Sequence, residues 1–224
     1  MAPVRSIRLA GVGAALLAAA CGGGGAGGGM GPCTPGAATQ LVKTTGDPGS
    51  WYFNNPLPAA LSVTARDASG CPVPGVAVDW AVASGDGAVS PAQSTTSASG
   101  VATTADSLGS APQQTVTATF TGLATPVTFT ASAGTPPATA GVTVSNNNFN
   151  PDNAVIKTGG TVTWTWAAGA VAHNVTFTSG PTPLPANSAT QSMGNHAATI
   201  TNVGTYSYHC TIHAGMNGTV AVVH

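Results

Sequence analysis

The sequence predicts an all-β protein built from two β-sandwiches in series. Charged residues make up only 5% of the chain and Glu is absent, so long amphipathic helices with a charged outer face are not expected. Thr, Val, Ser, Gly and Pro are abundant instead, which is typical of short strands joined by many turns. One domain usually takes about 100 to 200 residues, so a chain of 224 residues has room for two small sandwiches.

Residues 1–20 have the features of an export signal. Arg5 and Arg8 supply the positive start, and residues 9–20 form an apolar run that is too short to span a bilayer. The run ends at Cys21 in a sequence that resembles a bacterial lipobox, which implies a lipid on Cys21 and attachment to a membrane. The alternative is ordinary signal cleavage near Ala20. In both cases we expect an exported bacterial protein, located in the periplasm, at the outer membrane or on the cell surface.

Residues 21–36 begin with a Gly-rich run that cannot bury a core, and we interpret this segment as a flexible tether. An exported protein meets an oxidising compartment, where spare thiols tend to pair, and this chain has four cysteines. If Cys21 carries lipid and Cys210 binds metal, as argued below, then Cys33 and Cys71 are the only candidates for a disulfide.

Residues 37–134 are predicted to form the first sandwich. Apolar and polar residues alternate with period two at 61–65, 76–80, 116–120 and 127–130, as they do in strands with one buried face. Clusters of Gly, Pro, Asp and Ser separate these runs and supply the turns. Short strands at this spacing indicate a small β-sandwich without long connections.

The turns of this segment resemble the bacterial immunoglobulin-like (Ig-like) repeat of invasin and intimin type. The resemblance is carried by residues 67–76, which read DASGCPVPGV, and by residues 97–102, which read SASGVA. In that family such domains act mostly as spacers or adhesive modules, so the resemblance implies the same here. The scattered carboxylates of the segment are interpreted as turn and surface residues: Asp67, Asp79, Asp86 and Asp106.

Residues 135–140 are predicted to be the linker, because two prolines and small residues interrupt the strand pattern there. Strand patterns resume in residues 141–224, which form the second predicted domain. In its last long run, residues two apart share a face, so Tyr206, Tyr208 and Cys210 point the same way. Cys210 is therefore expected to face the interior at the end of a strand.

The loop after that strand carries three potential metal ligands. Cys210, His213 and Met216 follow the pattern C-x-x-H-x-x-M, which offers a thiolate, an imidazole and a thioether within one tight turn. A second imidazole is available at His173. Two His, one Cys and a weak axial Met are the ligand set of blue-copper sites. The sequence therefore predicts one type 1 copper per chain, bound by these four residues.

The second domain resembles the plastocyanin and amicyanin family of cupredoxins along its whole length. The matching segments are 149–151, 159–164, 173–175, 204–208 and 216–220. The resemblance implies a Greek-key sandwich or barrel, with His173, Cys210 and His213 in a trigonal plane and Met216 as the axial contact. It also implies that Asn174 forms hydrogen bonds around the thiolate and ties the two ligand loops together.

Alternatives to a copper site fit these residues less well. Zinc also binds His and Cys but rarely Met. The remaining histidines, His196, His209 and His224, have no ligand-spaced arrangement and are interpreted as surface residues, and Met193 as a core residue. Hydrolytic chemistry has no support, since the sequence shows no Ser/His/Asp set. Copper oxidases and nitrite reductases need further His ligands. The net charge of −1 leaves no electrostatic footprint for nucleic acid.

Together these features predict an exported, membrane-anchored protein that transfers single electrons by cycling between Cu(II) and Cu(I), and that is not an enzyme. Two alternatives stay open: a copper carrier or buffer, and an adhesion or spacer protein whose copper domain is structural. We expect a monomer whose redox protein partner docks on an uncharged surface around His213, formed by residues 212–215 and called here the His213 patch.

Overall fold

The computed structural model describes residues 33–224, and every element of regular structure in this range is a β-strand. The predicted signal segment 1–20 and the lipidation site Cys21 lie outside the described residues, as does most of the predicted tether. Within the described range there is no helix with the length and hydropathy needed to cross a lipid bilayer.

Nine strands build the first sandwich. They are β1 (Ala38–Thr45), β2 (Gly49–Tyr52), β3 (Leu61–Asp67), β4 (Ala77–Ser84), β5 (Ala88–Ser90), β6 (Gln93–Thr95), β7 (Val101–Ser107), β8 (Gln113–Thr119) and β9 (Val127–Gly134). One sheet has the order β1-β3-β7-β5 and the other the order β2-β9-β8-β4-β6. The alternation seen in the sequence places one face of each long strand between the sheets, where Trp80 packs against Phe129 with ring centroids 5.9 Å apart.

Two carboxylates of this sandwich are buried, and the surface interpretation is wrong for Asp106. Asp67 closes a turn by accepting hydrogen bonds from the backbone N–H groups of Gly36, Ser69 and Cys71, which hold its pKa below the ordinary value although burial opposes them. Asp106 shares the inner face of β7 with Ala102 and Thr104, because the three are two residues apart. Burial raises its pKa, and the Gln114 amide that donates to the carboxylate offsets this only in part.

The cysteines of the described range are in two states. Cys33 and Cys71 are disulfide-bonded, whereas Cys210 is free and buried. Cys71 lies in the turn that Asp67 closes, so its backbone is held by a hydrogen bond as well as by the bridge.

Eight strands build the second sandwich. They are β10 (Thr139–Ser145), β11 (Asn148–Asn150), β12 (Asn153–Lys157), β13 (Gly160–Trp166), β14 (Thr176–Ser179), β15 (Asn195–Ile200), β16 (Gly204–His209) and β17 (Asn217–Val223). The sheet orders are β11-β10-β13-β15 and β12-β17-β16-β14. The prediction of an all-β chain with two sandwiches in series is thus confirmed. Since β9 runs to Gly134 and β10 starts at Thr139, residues 135–138 alone connect them.

An aromatic cluster fills the second core. The Tyr208 ring lies at its centre, with its centroid 4.9 Å from that of Phe149, 5.2 Å from that of Trp164 and 5.8 Å from that of Phe177. The contacts with Phe149 and Trp164 are edge-to-face, and such contacts add to the free energy gained from burial. Because Tyr208 is two residues before Cys210 on the same face, this cluster supports the strand end that carries the free thiol.

Candidate metal centre

Cys210 follows the last residue of β16 and points into the sandwich, with 4% of its surface exposed. Its orientation continues the alternation of β16, where Tyr206 and Tyr208 face inward. Its backbone N–H donates to the carbonyl of Met216 at 2.9 Å, which closes the loop from residue 210 to residue 216, called here the metal loop. The strand thus sets the side-chain direction, and the loop closure sets the position of the residues that follow.

His173 is brought to this place by a different part of the chain. It lies between β13 and β14, and its backbone exchanges two hydrogen bonds of 2.9 Å with Gln191, forming an isolated bridge. Its side chain is fully buried. His213, in contrast, lies in the metal loop and is partly exposed. One imidazole is therefore internal, and the other reaches the surface.

The three side chains converge through their donor atoms. Sγ of Cys210 lies 3.8 Å from Nδ1 of His173 and 3.6 Å from Nδ1 of His213. One donor atom from each residue lies within 4.8 Å of those of the other two, and the two imidazole centroids are 4.5 Å apart. In residues 33–224 this is the one group of three or more His, Cys, Asp or Glu side chains with metal-binding spacing.

These separations fit a bound metal ion. Metal–nitrogen bonds of about 2.0–2.1 Å and a metal–sulfur bond of about 2.3 Å, at angles of about 110–120°, hold nitrogen and sulfur about 3.6–3.8 Å apart. Both measured distances agree with this range. Hydrogen bonds to this sulfur would be weak, because a thiol is a poor donor and a poor acceptor. The grouping of the three donor atoms is therefore better explained by metal ligation than by hydrogen bonding.

Burial also sets the protonation state that ligation requires. It lowers the pKa of His173, and the neighbouring His213 lowers it further because two positive charges this close repel each other. Neutral imidazole, which keeps a free lone pair, is the form that binds a metal. The Nε2 atom of His173 has no hydrogen-bond partner within the described range, so its backbone bridge and its packing orient the ring.

Met216, the fourth predicted ligand, is buried in the same apolar cluster as Cys210. Both of its backbone polar groups are used inside the metal loop, since its N–H donates to the carbonyl of His213 at 3.3 Å and its carbonyl accepts from Cys210. A thioether is a soft, weak donor, and a buried methionine in the same loop as Cys210 and His213 favours copper over zinc.

Asn174 joins the two segments that carry the ligands. Its side-chain Oδ1 accepts from the backbone N–H of Thr211 at 2.9 Å, and its Nδ2 donates to the Thr211 hydroxyl at 2.7 Å and to the Thr190 hydroxyl at 3.2 Å. Within the described range the side-chain amide of Asn174 contacts these threonines and not the Cys210 sulfur. Asn174 therefore ties the segment of His173 to the metal loop through Thr211, the residue that follows Cys210.

Several residues that hold the candidate ligands in place were not indicated by the sequence patterns. Thr211 directly follows Cys210, so a search for polar neighbours of the ligands could have found it. Gln191 and Thr190 lie in an irregular segment far along the chain, where no periodicity marks them.

Met193 is 77% exposed, so its interpretation as a core residue is wrong. It lies in a bend before β15, where strand alternation does not carry it inward.

The surface beside the ligands is apolar. Ile212 in the metal loop is 48% exposed, and Val171, two residues before His173, is 50% exposed. Ala214 and Gly215 are exposed as well. The partly exposed imidazole of His213 therefore emerges among residues that carry no charge.

Known proteins resemble the two sandwiches separately. Residues 54–132 match the bacterial Ig-like domain (group 1), and residues 138–223 match the copper binding proteins of the plastocyanin/azurin family. A plastocyanin from Scenedesmus fuscus is 37% identical over 84 residues, which are 33% of this chain and 85% of that protein.

Among solved structures, a reduced Cu(I) form of an amicyanin variant is 31% identical, and the match covers 38% of this chain and 81% of that one, with a TM-score of 0.34. A purple cupredoxin from Nitrosopumilus maritimus is 26% identical, and the match covers 37% and 98% of the two chains, with a TM-score of 0.33. The region that matches the copper-binding family, residues 138–223, contains His173, Cys210 and His213. By its second sandwich, this chain belongs to the plastocyanin/azurin family of copper-binding proteins.

Proposed function

We propose that this protein carries single electrons, with one type 1 copper held by His173, Cys210, His213 and Met216. The observation that carries the proposal is the convergence of two imidazole Nδ1 atoms on one buried cysteine sulfur, 3.8 Å and 3.6 Å away. Copper supplies the couple between Cu(II) and Cu(I) when it is bound. The similarity to plastocyanin supports a carrier rather than an enzyme.

The protein's contribution is to hold the ligands still. His173 is fixed by its backbone bridge to Gln191, and the metal loop is closed between Cys210 and Met216. Asn174 ties the two segments together through Thr211. A ligand frame that does not rearrange when the charge of the site changes by one unit lowers the energy barrier to electron transfer.

The surface of the second sandwich supports a docking site at the His213 patch. An uncharged surface around a partly exposed imidazole suits short-lived contact with a redox protein, because neither partner has to desolvate a charge. We propose that electrons enter and leave through this imidazole. The exported location and the lipid anchor at Cys21 are part of the same proposal and rest on the pattern of residues 1–21.

The test is a copper titration followed by visible absorption and redox cycling. With Cu(II), a thiolate-to-copper charge-transfer band at about 600 nm is expected, and it should disappear with ascorbate and return on oxidation without loss of copper. His213→Gln should remove the band. His209→Gln is the matched control, because His209 lies on β16 beside Cys210 but outside the metal-binding group, and it should keep the band.

A band that persists in Cys210→Ser would show that the ligand assignment is wrong. Copper that leaves the protein on reduction would point to a carrier or buffer of the ion itself, and the proposal of electron transfer would fail.

A further inference from the structure

The end of the second sandwich opposite the metal loop is joined to the first sandwich by the side chain of Asn55. Its Oδ1 accepts from the backbone N–H of His224 at 3.1 Å, and its Nδ2 donates to the carbonyl of His224 at 3.3 Å. The same Nδ2 group donates to the carbonyl of Phe53 at 2.7 Å. Both donor hydrogens and the acceptor of this amide are therefore used, which explains how a polar side chain can be buried with only 3% of its surface exposed.

The loop that carries Asn55 is itself held in place. The N–H of Leu57 donates to the carbonyl of Asp106 at 2.8 Å, and the N–H of Leu108 donates to the carbonyl of Asn55 at 3.0 Å. These two hydrogen bonds fix the Asn55 loop to the end of β7 in the first sandwich.

The connection between the two sandwiches is short and leaves little slack. It follows Gly134, the last residue of β9, whose carbonyl accepts from Phe53 in the first sandwich at 2.9 Å. Within it, the carbonyls of Pro137 and Ala138 accept from Lys157 and Thr161 in the second sandwich, at 2.8 Å and 3.0 Å, and Pro136 is buried. A connection of this length has less freedom than an ordinary interdomain linker, and residues 34–224 group into one compact unit.

Strand β17 shows where the metal site lies relative to this contact. It begins at Asn217, directly after Met216, and ends at Val223, directly before His224. Seven residues in a strand span roughly 20 Å. The parallel pairing of β12 with β17 places Lys157 opposite Val223, so the linker bonds lie at the same end as His224. The metal loop occupies the other end.

We propose that Asn55 holds the two sandwiches together as one rigid body. The Ig-like sandwich is then a fixed support, and the metal loop lies at the end of the second sandwich that points away from it. The interdomain contact is formed by His224, at the end of the second sandwich, and by the loop that carries Asn55 in the first sandwich. This inference does not depend on copper binding or on electron transfer.

The test measures the tumbling of each sandwich by ¹⁵N relaxation in the full chain, kept diamagnetic with ascorbate. The native protein should give one correlation time for both sandwiches. In Asn55→Ala both values should fall below the native value and differ from each other, because the four residues between β9 and β10 alone would then restrict the relative motion of the two sandwiches. Asn148→Ala is the control, because Asn148 is exposed on β11 of the second sandwich, and it should leave both values unchanged.

Two different correlation times in the native protein would overturn the proposal, and so would an unchanged pair of values in Asn55→Ala. If Asn55→Ala does not fold, amide exchange of the native protein decides. The His224 amide should then exchange more slowly than exposed amides, at least about tenfold, because it donates to Asn55 across the interdomain contact. Unprotected exchange at His224 would contradict the inference.

Discussion

At the scale of single residues, the two imidazoles of the candidate site differ in exposure, and this difference separates their tasks. His173 is fully buried with its pKa lowered by burial and by the neighbouring His213, so it serves as an internal ligand. His213 is partly exposed in an apolar surface, so its ring edge is the route that we propose for electrons. In this proposal the buried imidazole holds the ion and the exposed one connects the site with a docked protein.

Met216 is expected to tune the copper site and not to hold the ion, because a thioether is a weak axial donor. Met216→Leu should keep copper and raise the reduction potential, since loss of a donor disfavours Cu(II) more than Cu(I). The measurement is the potential of the native and variant proteins by redox titration. Met193→Leu is the control for a methionine change, because Met193 is exposed and lies outside the cluster that contains Met216. Copper loss from Met216→Leu would contradict the weak axial role.

At the scale of elements, the pairing of β16 with β17 determines how the metal loop is supported. Tyr208 lies opposite Gly218 in this antiparallel pair, and the Tyr208 ring occupies the space where a side chain at residue 218 would be. Phe149, Trp164 and Phe177 surround the ring, so it cannot move aside. Glycine at residue 218 is therefore a packing requirement of the strand that leaves the loop.

Gly218→Ala should destabilise the protein by about 1–3 kcal/mol, because the added methyl group overlaps the Tyr208 ring in a packed core. Gly141→Ala is the matched control: Gly141 also lies in a strand, β10, but has open space around it and an ordinary backbone conformation. This control should be neutral or slightly stabilising. Denaturant unfolding of both variants gives the two free energies. Equal stability of Gly218→Ala and the native protein would show that the Tyr208 ring can move aside to make room for the methyl group.

At the scale of the whole molecule, the chain has little charge with which to guide a partner. The net charge is −1, and in the second sandwich Asp152 and Lys157 are the only residues of the Asp, Glu, Lys and Arg types. Screening by salt acts on exposed charges, so an uncharged docking surface should be insensitive to it. Recognition at the His213 patch is therefore expected to be weak and apolar.

Electron self-exchange between reduced and oxidised copies of the protein tests this expectation without a natural partner. The rate should be nearly constant between low and high ionic strength. Ala214→Glu should slow it at low salt by at least about tenfold, because two like charges meet when two patches dock. Ala124→Glu, an exposed change in the first sandwich, should have little effect. A steep dependence of the native rate on salt, or an unaffected Ala214→Glu, would show that electrons use another surface.

Local patterns along the sequence are enough to predict the two sandwiches and the residue types of the candidate metal site. Alternation with period two depends only on neighbouring residues, so it is visible without a structure and correctly predicted the inward face of β16. Spacing within one loop is also a local pattern, and it identifies Cys210, His213 and Met216 as candidate metal ligands.

Only the tertiary structure decided which distant residues meet. The bridge from Gln191 to His173, the bonds from Asn174 to Thr211 and the contact from Asn55 to His224 join positions with no shared pattern along the chain. The sequence interpretation was wrong for Asp106 and Met193. Alternation with Ala102 and Thr104 accounts for the inward position of Asp106, but the Gln114 amide that partners its buried carboxylate is supplied by the fold, and the exposure of Met193 follows from the bend before β15. Local periodicity reports which face of a strand is apolar. The identity of the side chain packed against that face is set by the pairing of the sheets, and no local pattern contains it.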